Sequence, residues 1–513
     1  QVEGLRWLAR QHALGVNSIL GDDMGLGKTL QVLTFFAHLK ASSGTPGTHL
    51  VVCPLSILPT WQSEARRFAP HLRVVGFHGP ERERERIKEE ELSGGRWASV
   101  DVLVTTYEML VAEVGHFARS FRFSYVVLDE AQRIKNDETL IGKAVRSLHA
   151  TSKLLLTGTP LQNNMRELVC LLNFLFPEAV TATDVLDAAS LDGSLIVSAR
   201  RLLQPLMLRR TKEEVLTAEL PGKTEAVVRV PLSALQAKWY RELLDEEKWL
   251  FGRLAGSNTS TTAEGEDQPS EGRFKRLSNL LMQLRKCANH PYLFAGVEPE
   301  PHVTGEHLVE ASGKLMVLDR MMRRLRAEGH KVLIFSQFTS FLDIVSDFLT
   351  LRGHRHLRLD GGTALARRRY EVALFNKEGS KYGAYLVSTK AGGLGLNLQT
   401  ADVVVLMDSD WNPTNDLQAQ DRAYRIGQRN HVRVFRLATA GTCEEKILEI
   451  ASKKLALARA VLDSGAEDDD ALCKASFEEI SSAVRHGMAA FAAGSCGEAE
   501  DACSAERLDA LVE

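Results

Sequence analysis

GDDMGLGKT, residues 21–29, decides the fold of this chain, and an apolar run stands on each side of it. A glycine-rich turn between a strand and a helix can wrap phosphate groups with its backbone N–H groups, while the positive end of the helix dipole faces them. Gly25 and Gly27 would let the backbone approach a nucleotide, Lys28 would supply a cation, and Thr29 would supply a hydroxyl for Mg²⁺. The stretch therefore predicts a phosphate-binding loop.

The spacing of this loop departs from the usual phosphate-loop pattern. Asp22 stands five residues before Gly27, where that pattern has glycine, and Gly21 lies one residue too early. The stretch could instead be a flexible turn that begins an ordinary amphipathic helix. Partner motifs elsewhere in the chain must decide between the two.

Length and composition exclude several classes of protein. A chain of 513 residues with 44% apolar and 25% charged residues is typical of a globular protein with two or three domains. No apolar run approaches the roughly 20 residues that a membrane span needs, and no signal peptide opens the chain, so we predict no membrane partner. The seven cysteines are scattered without a C-x-x-C pair, which indicates a reducing compartment without structural zinc. Because Gln1 is not an initiator Met, we expect a fragment of a longer protein.

Charge is distributed unevenly along the chain. Thirteen acidic and three basic residues lie in 463–513, so this tail carries −10, and residues 1–462 carry +7 against the net charge of −3. A mildly basic body is compatible with DNA or RNA as a partner, and an acidic tail could compete for the same surface. A tail that only aids solubility is the alternative.

Short β-branched runs alternate with helical stretches in both halves of the chain, which is the pattern of parallel sheets covered by helices. In the first half we predict strands at 49–54, 101–105, 125–129 and 153–157. In the second half we predict strands at 331–336, 356–360, 384–388, 402–407 and 432–437. The predicted fold class is therefore α/β, with two lobes of similar size.

The predicted domain boundaries follow from this alternation of strands and helices. We place a first, nucleotide-binding lobe at 1–205 and a second lobe, ending in a brace helix, at 312–462. Residues 206–311 between them read as a helical insertion, with a flexible loop at 252–272 that has almost no apolar residues. The last segment, 463–513, is the acidic tail.

A second nucleotide contact is expected where the strand at 125–129 ends. Asp129 would hold Mg²⁺ through water, and Glu130 would polarise the attacking water. Two acids that cap a following helix are the alternative, but the phosphate loop upstream favours catalysis. The two sites together predict an ATPase.

The stretch QAQDRAYRIGQ, residues 418–428, carries two arginines in the second lobe. Arg422 and Arg425 are three residues apart, so on a helix they would share one face and could reach into a cleft toward a γ-phosphate. This is an arginine-finger arrangement supplied by a second domain. A solvated arginine pair is the alternative.

Two hydroxyl-rich turns could link the nucleotide to nucleic acid. Residues 156–160, LTGTP, follow a strand and could contact the acidic site, or form a plain turn that ends at a proline. Residues 388–397, STKAGGLGLN, end a strand in a Gly-rich turn. Its N–H groups could hold a nucleic-acid phosphate, or the turn could be purely structural.

Many of these motifs occur in an order known from one protein family. They are GDDMGLGKT, DEAQ, LTGTPLQNN, IFSQF, STKAGGLGLNL and DRAYRIGQ, joined by LRR, LRKCANHP, SGK and DWNP. Over residues 1 to about 462 the chain resembles the SWI/SNF-type ATPases of chromatin remodelling. These are helicase-like translocases of superfamily two that act on double-stranded DNA.

The resemblance implies two RecA-like lobes, ATP and Mg²⁺ as cofactors, and a set of functional residues. The implied catalytic residues are Lys28, Asp129, Glu130, Arg422 and Arg425, with Mg²⁺ at Thr29 and Asp129. The implied ATP contacts are Gln1, which would read the adenine, and Asp23, Met24, Gly25, Leu26, Gly27, Lys28, Thr29 and Gly395. The implied DNA contacts are Thr105, Thr106, Ser336, Gln337, Thr389, Lys390 and Trp411.

Residues 292–301 look most like the CHD-one-like, "amplified in liver cancer" subgroup. Full-length members of that subgroup carry a poly(ADP-ribose)-binding macro domain that restrains the motor. The resemblance therefore implies a nuclear protein of the DNA damage response, with regulation linked to poly(ADP-ribose) through a domain outside this chain.

Three residues depart from the family pattern. Gln132 closes DEAQ where the family usually has DEAH or DEGH, Tyr424 stands where His is usual, and Asp23 replaces the commoner Glu. None of these changes removes a catalytic carboxylate, lysine or finger. We expect Gln132 and Tyr424 to affect how tightly ATP and DNA are coupled.

The predicted function is an ATP-dependent double-stranded DNA translocase that slides or remodels nucleosomes, with DNA, nucleosomes and histones as partners. One alternative is an RNA helicase of the same superfamily. The other is a nucleotide-gated scaffold that binds nucleosomes without moving DNA.

Overall fold

A computed structural model describes residues 1–43, 47–134, 136, 138–158, 165–178, 205–216, 220–246, 270–392, 396–463 and 477–492. Two parallel sheets lie in two lobes, which confirms the predicted α/β fold class. Most of the predicted loop at 252–272, the LTGTP turn from residue 159 onward and Gly395 lie outside the described residues. Within the described ranges, no helix is both long and apolar enough to cross a lipid bilayer.

The described residues of the first lobe form a sheet of seven parallel strands. They are β1 (Ser18–Leu20), β2 (His49–Cys53), β3 (Val74–Phe77), β4 (Val102–Thr106), β5 (Phe123–Asp129), β6 (Ala150–Leu156) and β7 (Met207–Leu208). Their order in the sheet is β3-β4-β2-β5-β6-β1-β7. The four strands predicted for this half are confirmed. β1 and β7 are too short to show a sequence period.

Helices cover both faces of this sheet. They are α1 (Val2–Ala13), α2 (Lys28–Ser43), α3 (Leu58–Phe68), α4 (Glu81–Ile87), α5 (Tyr107–Ala112), α6 (Val114–Ser120), α7 (Leu140–Arg146) and α8 (Met165–Leu175). Successive residues of a strand point to opposite faces. Accordingly, Leu50 and Val52 of β2 pack into one core, and Val51 and Cys53 pack into the other. The sheet is therefore buried on both sides, which positions its strand ends rigidly.

Residues 206–311 are not uniformly helical, which corrects the predicted helical insertion. β7 extends the first sheet, and β8 (Lys223–Val230) is the edge strand of the second sheet, paired in parallel with residues 432–439. Four consecutive residues of β8 are exposed. The strand therefore lacks the alternation of apolar and polar residues by which a half-buried strand is predicted from sequence. The helices of this region are α9 (Lys212–Val215), α10 (Ala234–Glu246), α11 (Ser270–Asn289) and α12 (Glu306–Glu310).

In the second lobe, the part of the chain that the structure describes forms a six-stranded parallel sheet. Besides β8, its strands are β9 (Val332–Ser336), β10 (His356–Leu359), β11 (Ala384–Ser388), β12 (Val403–Leu406) and β13 (Val432–Thr439). Their order is β10-β11-β9-β12-β13-β8, and all five strands predicted for this half are confirmed. The helices are α13 (Gly313–Ala327), α14 (Thr339–Leu351), α15 (Leu365–Asn376), α16 (Thr389–Gly392), α17 (Pro413–Gln420) and α18 (Cys443–Asp463).

A buried polar network ties the second sheet to the helices that follow it. The fully buried ammonium of Lys314 on α13 donates to Glu444, to Asn289 and to the backbone oxygen of Met407, each at 2.7 Å. Removing one partner of such a network would leave a buried charge without compensation. The network therefore fixes α11 and α18 against the end of β12.

A helix lies within the segment that sequence analysis treats only as an acidic tail. This helix, α19 (Phe477–Ala492), buries Ile480, Ala483 and Val484 in a cluster with α10, α11 and the start of α18. In the same cluster, the Tyr240 hydroxyl accepts a hydrogen bond from the backbone N–H of Cys443 at 3.0 Å. This part of the tail is packed on the helical cluster and is not a free solvated chain.

Candidate functional site

The phosphate loop joins the end of β1 to the start of α2, as the sequence predicts. Gly25 and Gly27 have φ angles of 89° and 81°, which residues with a Cβ rarely adopt. A Cβ on Gly27 would lie 2.6 Å from Nε2 of Gln1, so the amide predicted to read adenine lies against the loop. A Cβ on Gly25 would lie 3.2 Å from Cβ of Arg425 in the second lobe. Both glycines are needed for conformation and for space.

Lys28 turns its ammonium back over the loop. Its Nζ donates to the backbone oxygen of Asp22 at 2.5 Å and of Asp23 at 3.3 Å, and a Cβ on Gly158 would lie 3.7 Å from it. These acceptors are neutral carbonyl groups, so the positive charge of Lys28 is available to a phosphate. The other predicted loop contacts are the buried Leu26 and the half-buried Asp23, Met24 and Thr29.

Asp129 ends β5, and two aromatic side chains fix it. The indole Nε1 of Trp61 donates to Oδ2 of Asp129 at 2.9 Å, and the Tyr107 hydroxyl donates to the backbone oxygen of Asp129 at 2.8 Å. Burial, together with repulsion from Glu130, raises the pKa of Asp129 to about 6, while the charge of Lys28 acts in the opposite direction. A buried carboxylate of this kind gains from a nearby cation, which fits the predicted Mg²⁺ contact.

Glu130 has a strained backbone and a fixed carboxylate. Its φ of 55° is unusual for a residue with a side chain, and such strain clusters at functional sites. Nε2 of Gln132 donates to Oε2 of Glu130 at 2.7 Å, and the Thr157 hydroxyl donates to Oε1 of Gln132 at 3.2 Å. Gln132 therefore connects the predicted water-activating carboxylate to the first residues of the LTGTP turn.

Arg422 and Arg425 reach the phosphate loop from the second lobe, but they do not lie on a helix. α17 ends at Gln420, and both arginines lie in the turn that follows, which corrects the predicted helical face. Asp421 caps the end of α17, and Gly427 has a φ of 100° in the same turn. We call residues 421–425 the arginine turn.

The arginine turn brings two guanidinium groups to the boundary between the lobes. Nη2 of Arg422 lies 3.8 Å from Sδ of Met24 in the phosphate loop, and Nη1 of Arg425 donates to the backbone oxygen of Leu396 at 3.3 Å. Burial, with repulsion from Arg425, lowers the pKa of Arg422 to about 10, and burial also lowers the pKa of Arg425. A buried and a half-buried cation side by side favour an anion such as a γ-phosphate.

The structure buries the side chains of four of the seven predicted DNA contacts. These are Thr105, Thr106, Ser336 and Thr389. The Thr105 hydroxyl donates to the backbone oxygen of Phe77 at 2.9 Å, and the Ser336 hydroxyl donates to the carboxylate of Asp408. The hydroxyls of Thr105 and Ser336 are therefore engaged by groups within their own lobes, and contact of these four residues with DNA stays a prediction.

The remaining predicted DNA contacts differ in exposure. Lys390 is exposed on α16, directly after β11, whereas Gln337 and Trp411 are half-buried. Trp411 packs on the cluster formed by α10, α11 and α19. The backbone N–H of Gln337 donates to Asp408 at 2.9 Å. Asp408 thus joins the ends of β9 and β12, a role that its sequence context does not reveal.

Two further residues next to the phosphate loop were not predicted from the sequence. Arg210 donates to both carboxylate oxygens of Asp22, at 3.0 and 2.6 Å, and the backbone N–H of Lys212 donates to Oδ2 of Asp23 at 3.1 Å. Their only sequence signal is the family-like LRR stretch, which ends at Arg210 and lies just before Lys212. No pattern in the neighbouring sequence links Arg210 and Lys212 to the phosphate loop, which lies far upstream.

The fold and the site together define a class of protein. A phosphate loop on one parallel α/β lobe meets an arginine turn on a second, which is the arrangement of helicase-like nucleotide-binding proteins with two RecA-like lobes. Residues 1–293 match the SNF2-related domain, and residues 313–427 match the helicase conserved C-terminal domain. The chain belongs to the SNF2-related family.

Curated relatives support this assignment. A "Probable chromatin-remodeling complex ATPase chain" of Oryza sativa subsp. japonica is 46% identical over 472 residues, 91% of this chain and 41% of the relative. "SWI/SNF-related matrix-associated actin-dependent regulator of chromatin subfamily A member 1" of Homo sapiens is 44% identical over 494 residues, 95% of this chain and 46% of the relative. The chain thus spans less than half the length of these relatives.

The predicted subgroup is not confirmed by these similarities. "Chromodomain-helicase-DNA-binding protein 1-like" of Danio rerio is 41% identical over 496 residues, 95% of this chain and 46% of the relative. This identity is lower than that of the rice and human relatives. The similarities therefore establish the family and leave the subgroup as a prediction.

Proposed function

We propose that this chain is the motor of an ATP-dependent double-stranded DNA translocase that slides or remodels nucleosomes. The observation that carries the proposal is the contact of the arginine turn with the phosphate loop, where Arg425 packs on Gly25. The names of the relatives, which include chromatin-remodelling ATPases, support chromatin as the substrate. Lobe closure and opening during ATP turnover would move the chain along DNA, with contacts to phosphates and not to bases.

The proposed roles of the residues follow from their places in the site. Lys28 and the loop N–H groups bind the phosphates, while Arg422 and Arg425 stabilise the charge that develops on the transferred phosphoryl group. Glu130 orients the attacking water and accepts its proton. Asp129 and Thr29 would hold Mg²⁺, which neutralises charge on the phosphate oxygens when bound.

The residues at the site fit Mg²⁺ rather than a metal enclosed by protein ligands. In the described part of the chain, no group of three or more His, Cys, Asp or Glu side chains could hold a metal ion. Mg²⁺ in nucleotide sites commonly takes one or two protein ligands, with water and phosphate oxygens completing its shell. The buried carboxylate of Asp129 and the hydroxyl of Thr29 are enough protein ligands for that mode.

Ala in place of Gln132 should lower the kcat of ATP hydrolysis about tenfold or more and leave the KM for ATP nearly unchanged. The reason is that Gln132 orients Glu130 and donates no bond to the loop that binds phosphate. Steady-state ATPase assays with saturating duplex DNA measure both constants. A kcat equal to that of the wild type would show that Glu130 needs no positioning by this amide.

The proposed substrate is tested by comparing nucleic acids as activators of ATP turnover. We expect duplex DNA or nucleosomes to raise kcat, and single-stranded or duplex RNA of the same length to raise it less. Greater stimulation by RNA would identify an RNA helicase instead. Binding to nucleosomes without any ATP turnover would identify a nucleotide-gated scaffold.

We also propose the finer assignments that the similarities do not reach. They are nuclear localisation, the end of the second lobe after residue 462, and membership of the CHD-one-like subgroup with poly(ADP-ribose)-linked regulation and a role in the DNA damage response. Support for the subgroup comes from residues 292–301 and from the similarity to the zebrafish relative. A full-length chain whose ATPase is activated by poly(ADP-ribose) would support it, and one that is indifferent to this polymer would argue against it.

A further inference from the structure

The segment between β7 and β8 crosses from the first lobe to the second and is anchored in both sheets. β7 pairs with β1, and β8 pairs with β13. Between these strands, Nε and Nη2 of Arg210 donate to the two carboxylate oxygens of Asp22, whose side chain is fully buried at the start of the phosphate loop. Arg210 therefore fixes the crossing segment to the first lobe beside the nucleotide site.

Lys212, two residues further on, reaches the second lobe. Its Nζ donates to Oδ1 of Asp421 at 2.6 Å and to the backbone oxygen of Tyr424 at 2.7 Å, both in the arginine turn. Its backbone N–H donates to Asp23 of the phosphate loop at 3.1 Å, and its side chain is 4% exposed. A single residue thus contacts the phosphate loop and the arginine turn.

The packing around Lys212 also brings the phosphate loop and the arginine turn together. A Cβ on Gly25 would lie 3.6 Å from Cε of Lys212 and 3.2 Å from Cβ of Arg425. The lysine stem and the base of Arg425 therefore rest on the same glycine of the phosphate loop. A displaced lysine would leave the arginine turn without its support at this point.

Tyr424, which departs from the family pattern, suits this arrangement. Nζ of Lys212 lies 5.3 Å from the centre of its ring, and Nζ of Lys223 lies 5.9 Å from it. The face of a neutral aromatic ring attracts ammonium groups. A histidine between two lysines would have its charged form disfavoured by both of them. The tyrosine therefore strengthens the hold of Lys212 on the arginine turn.

We propose that Lys212 is a positioning residue for the two finger arginines. It sets the arginine turn against Gly25, so that Arg422 and Arg425 face the phosphates bound in the loop. An ammonium suits this task because it can donate to a carboxylate and a carbonyl at once. This inference rests on the proposed hydrolysis of ATP between the lobes.

Lys212→Met, which keeps the apolar stem and removes the ammonium, tests the inference. We expect the kcat of the DNA-stimulated ATPase to fall between about tenfold and about 100-fold, because small displacements of catalytic groups have effects of this size. The Kd of a fluorescent ATP analogue, measured without DNA, should change less than about twofold, since Lys28 and the loop remain. A purely structural role would lower Tm and would not separate kcat from Kd in this way.

Two further variants keep the test decisive if Lys212→Met folds poorly. Lys212→Arg retains a cation and should recover part of kcat, whereas Asp421→Asn should lower kcat as Lys212→Met does. The double variant should lose little more than either single one, since both changes remove the same contact. Lys453→Met is the control, because Lys453 is 66% exposed in a surface ion pair on α18.

The possible outcomes separate this inference from the proposed function. Wild-type kcat in both Lys212→Met and Asp421→Asn, with normal DNA stimulation, would overturn the role of Lys212 and leave the proposed function intact. A wild-type chain that no nucleic acid stimulates would overturn the proposed function itself. A fall of kcat and a rise of Kd by the same factor would show that Lys212 supports nucleotide binding and not the arginines.

Discussion

Glu130→Gln should nearly abolish ATP turnover, with a fall in kcat of about 1,000-fold, within the range for loss of a general base. The amide has nearly the shape of the carboxylate, but it cannot accept the proton of the attacking water. ATP binding should persist, because the loop at Gly25 to Lys28 is unchanged. Single-turnover hydrolysis and nucleotide binding, measured on the same preparation, separate the two effects.

Glu89→Gln is the matched control for this substitution, because Glu89 is exposed in the charged π-helical segment Lys88–Leu92 that follows α4. Its kcat should equal that of the wild type. If Glu130→Gln hydrolysed ATP within a few-fold of the wild-type rate, another group would have to activate the water. DNA movement by such a variant at the wild-type rate would mean that hydrolysis does not drive it.

Arg425→Lys should lower kcat by about 1,000-fold, the lower part of the range measured for arginine fingers. Lysine keeps the positive charge but loses the planar fork that binds two phosphate oxygens at once. The Kd for ADP should change little, since the interaction is expected chiefly with the transferred phosphoryl group. Rapid-quench measurement of the chemical step gives the effect directly.

Arg429→Lys provides the control from the same stretch of sequence. Arg429 lies four residues further along and is exposed. It should keep wild-type kcat. A similar loss in Arg429→Lys, or an Arg425→Lys variant with wild-type kcat, would contradict the assignment of the arginine turn as the second half of the ATP site.

Most of the predicted parallel strands could be recognised because they are short, largely buried apolar runs between helical stretches. β2 and β9, for example, are buried at every residue. β8 escaped prediction for the opposite reason, since an edge strand with four consecutive exposed residues has no apolar period. β7 has only two residues and becomes a strand through its pairing with β1.

The candidate site was predictable where its chemistry is local in sequence. The phosphate loop and the carboxylates at the end of β5 carry their own patterns, and Arg422 and Arg425 were found although α17 ends before them. Contacts between distant segments were not predictable. The Thr105 hydroxyl finds its acceptor on β3, and the acceptors of Lys212 lie far along the chain in the arginine turn.

Two of the three departures from the family pattern make contacts at the candidate site. Gln132 bonds to Glu130 and to Thr157, so an amide links the acidic site to the turn after β6. Tyr424 lies beside Lys212 and Lys223. Both residues therefore make contacts that fit a coupled motor, and we expect coupling to be retained.

Release of a third DNA strand from a triplex tests most directly whether ATP hydrolysis at this interface drives movement along duplex DNA. A duplex carrying the triplex at one end is incubated with the chain, ATP and Mg²⁺, and the release of the third strand is followed by fluorescence. We predict ATP-dependent release by the wild type and none by Glu130→Gln. A wild-type chain that hydrolyses ATP at its DNA-stimulated rate while the third strand stays bound would contradict the account.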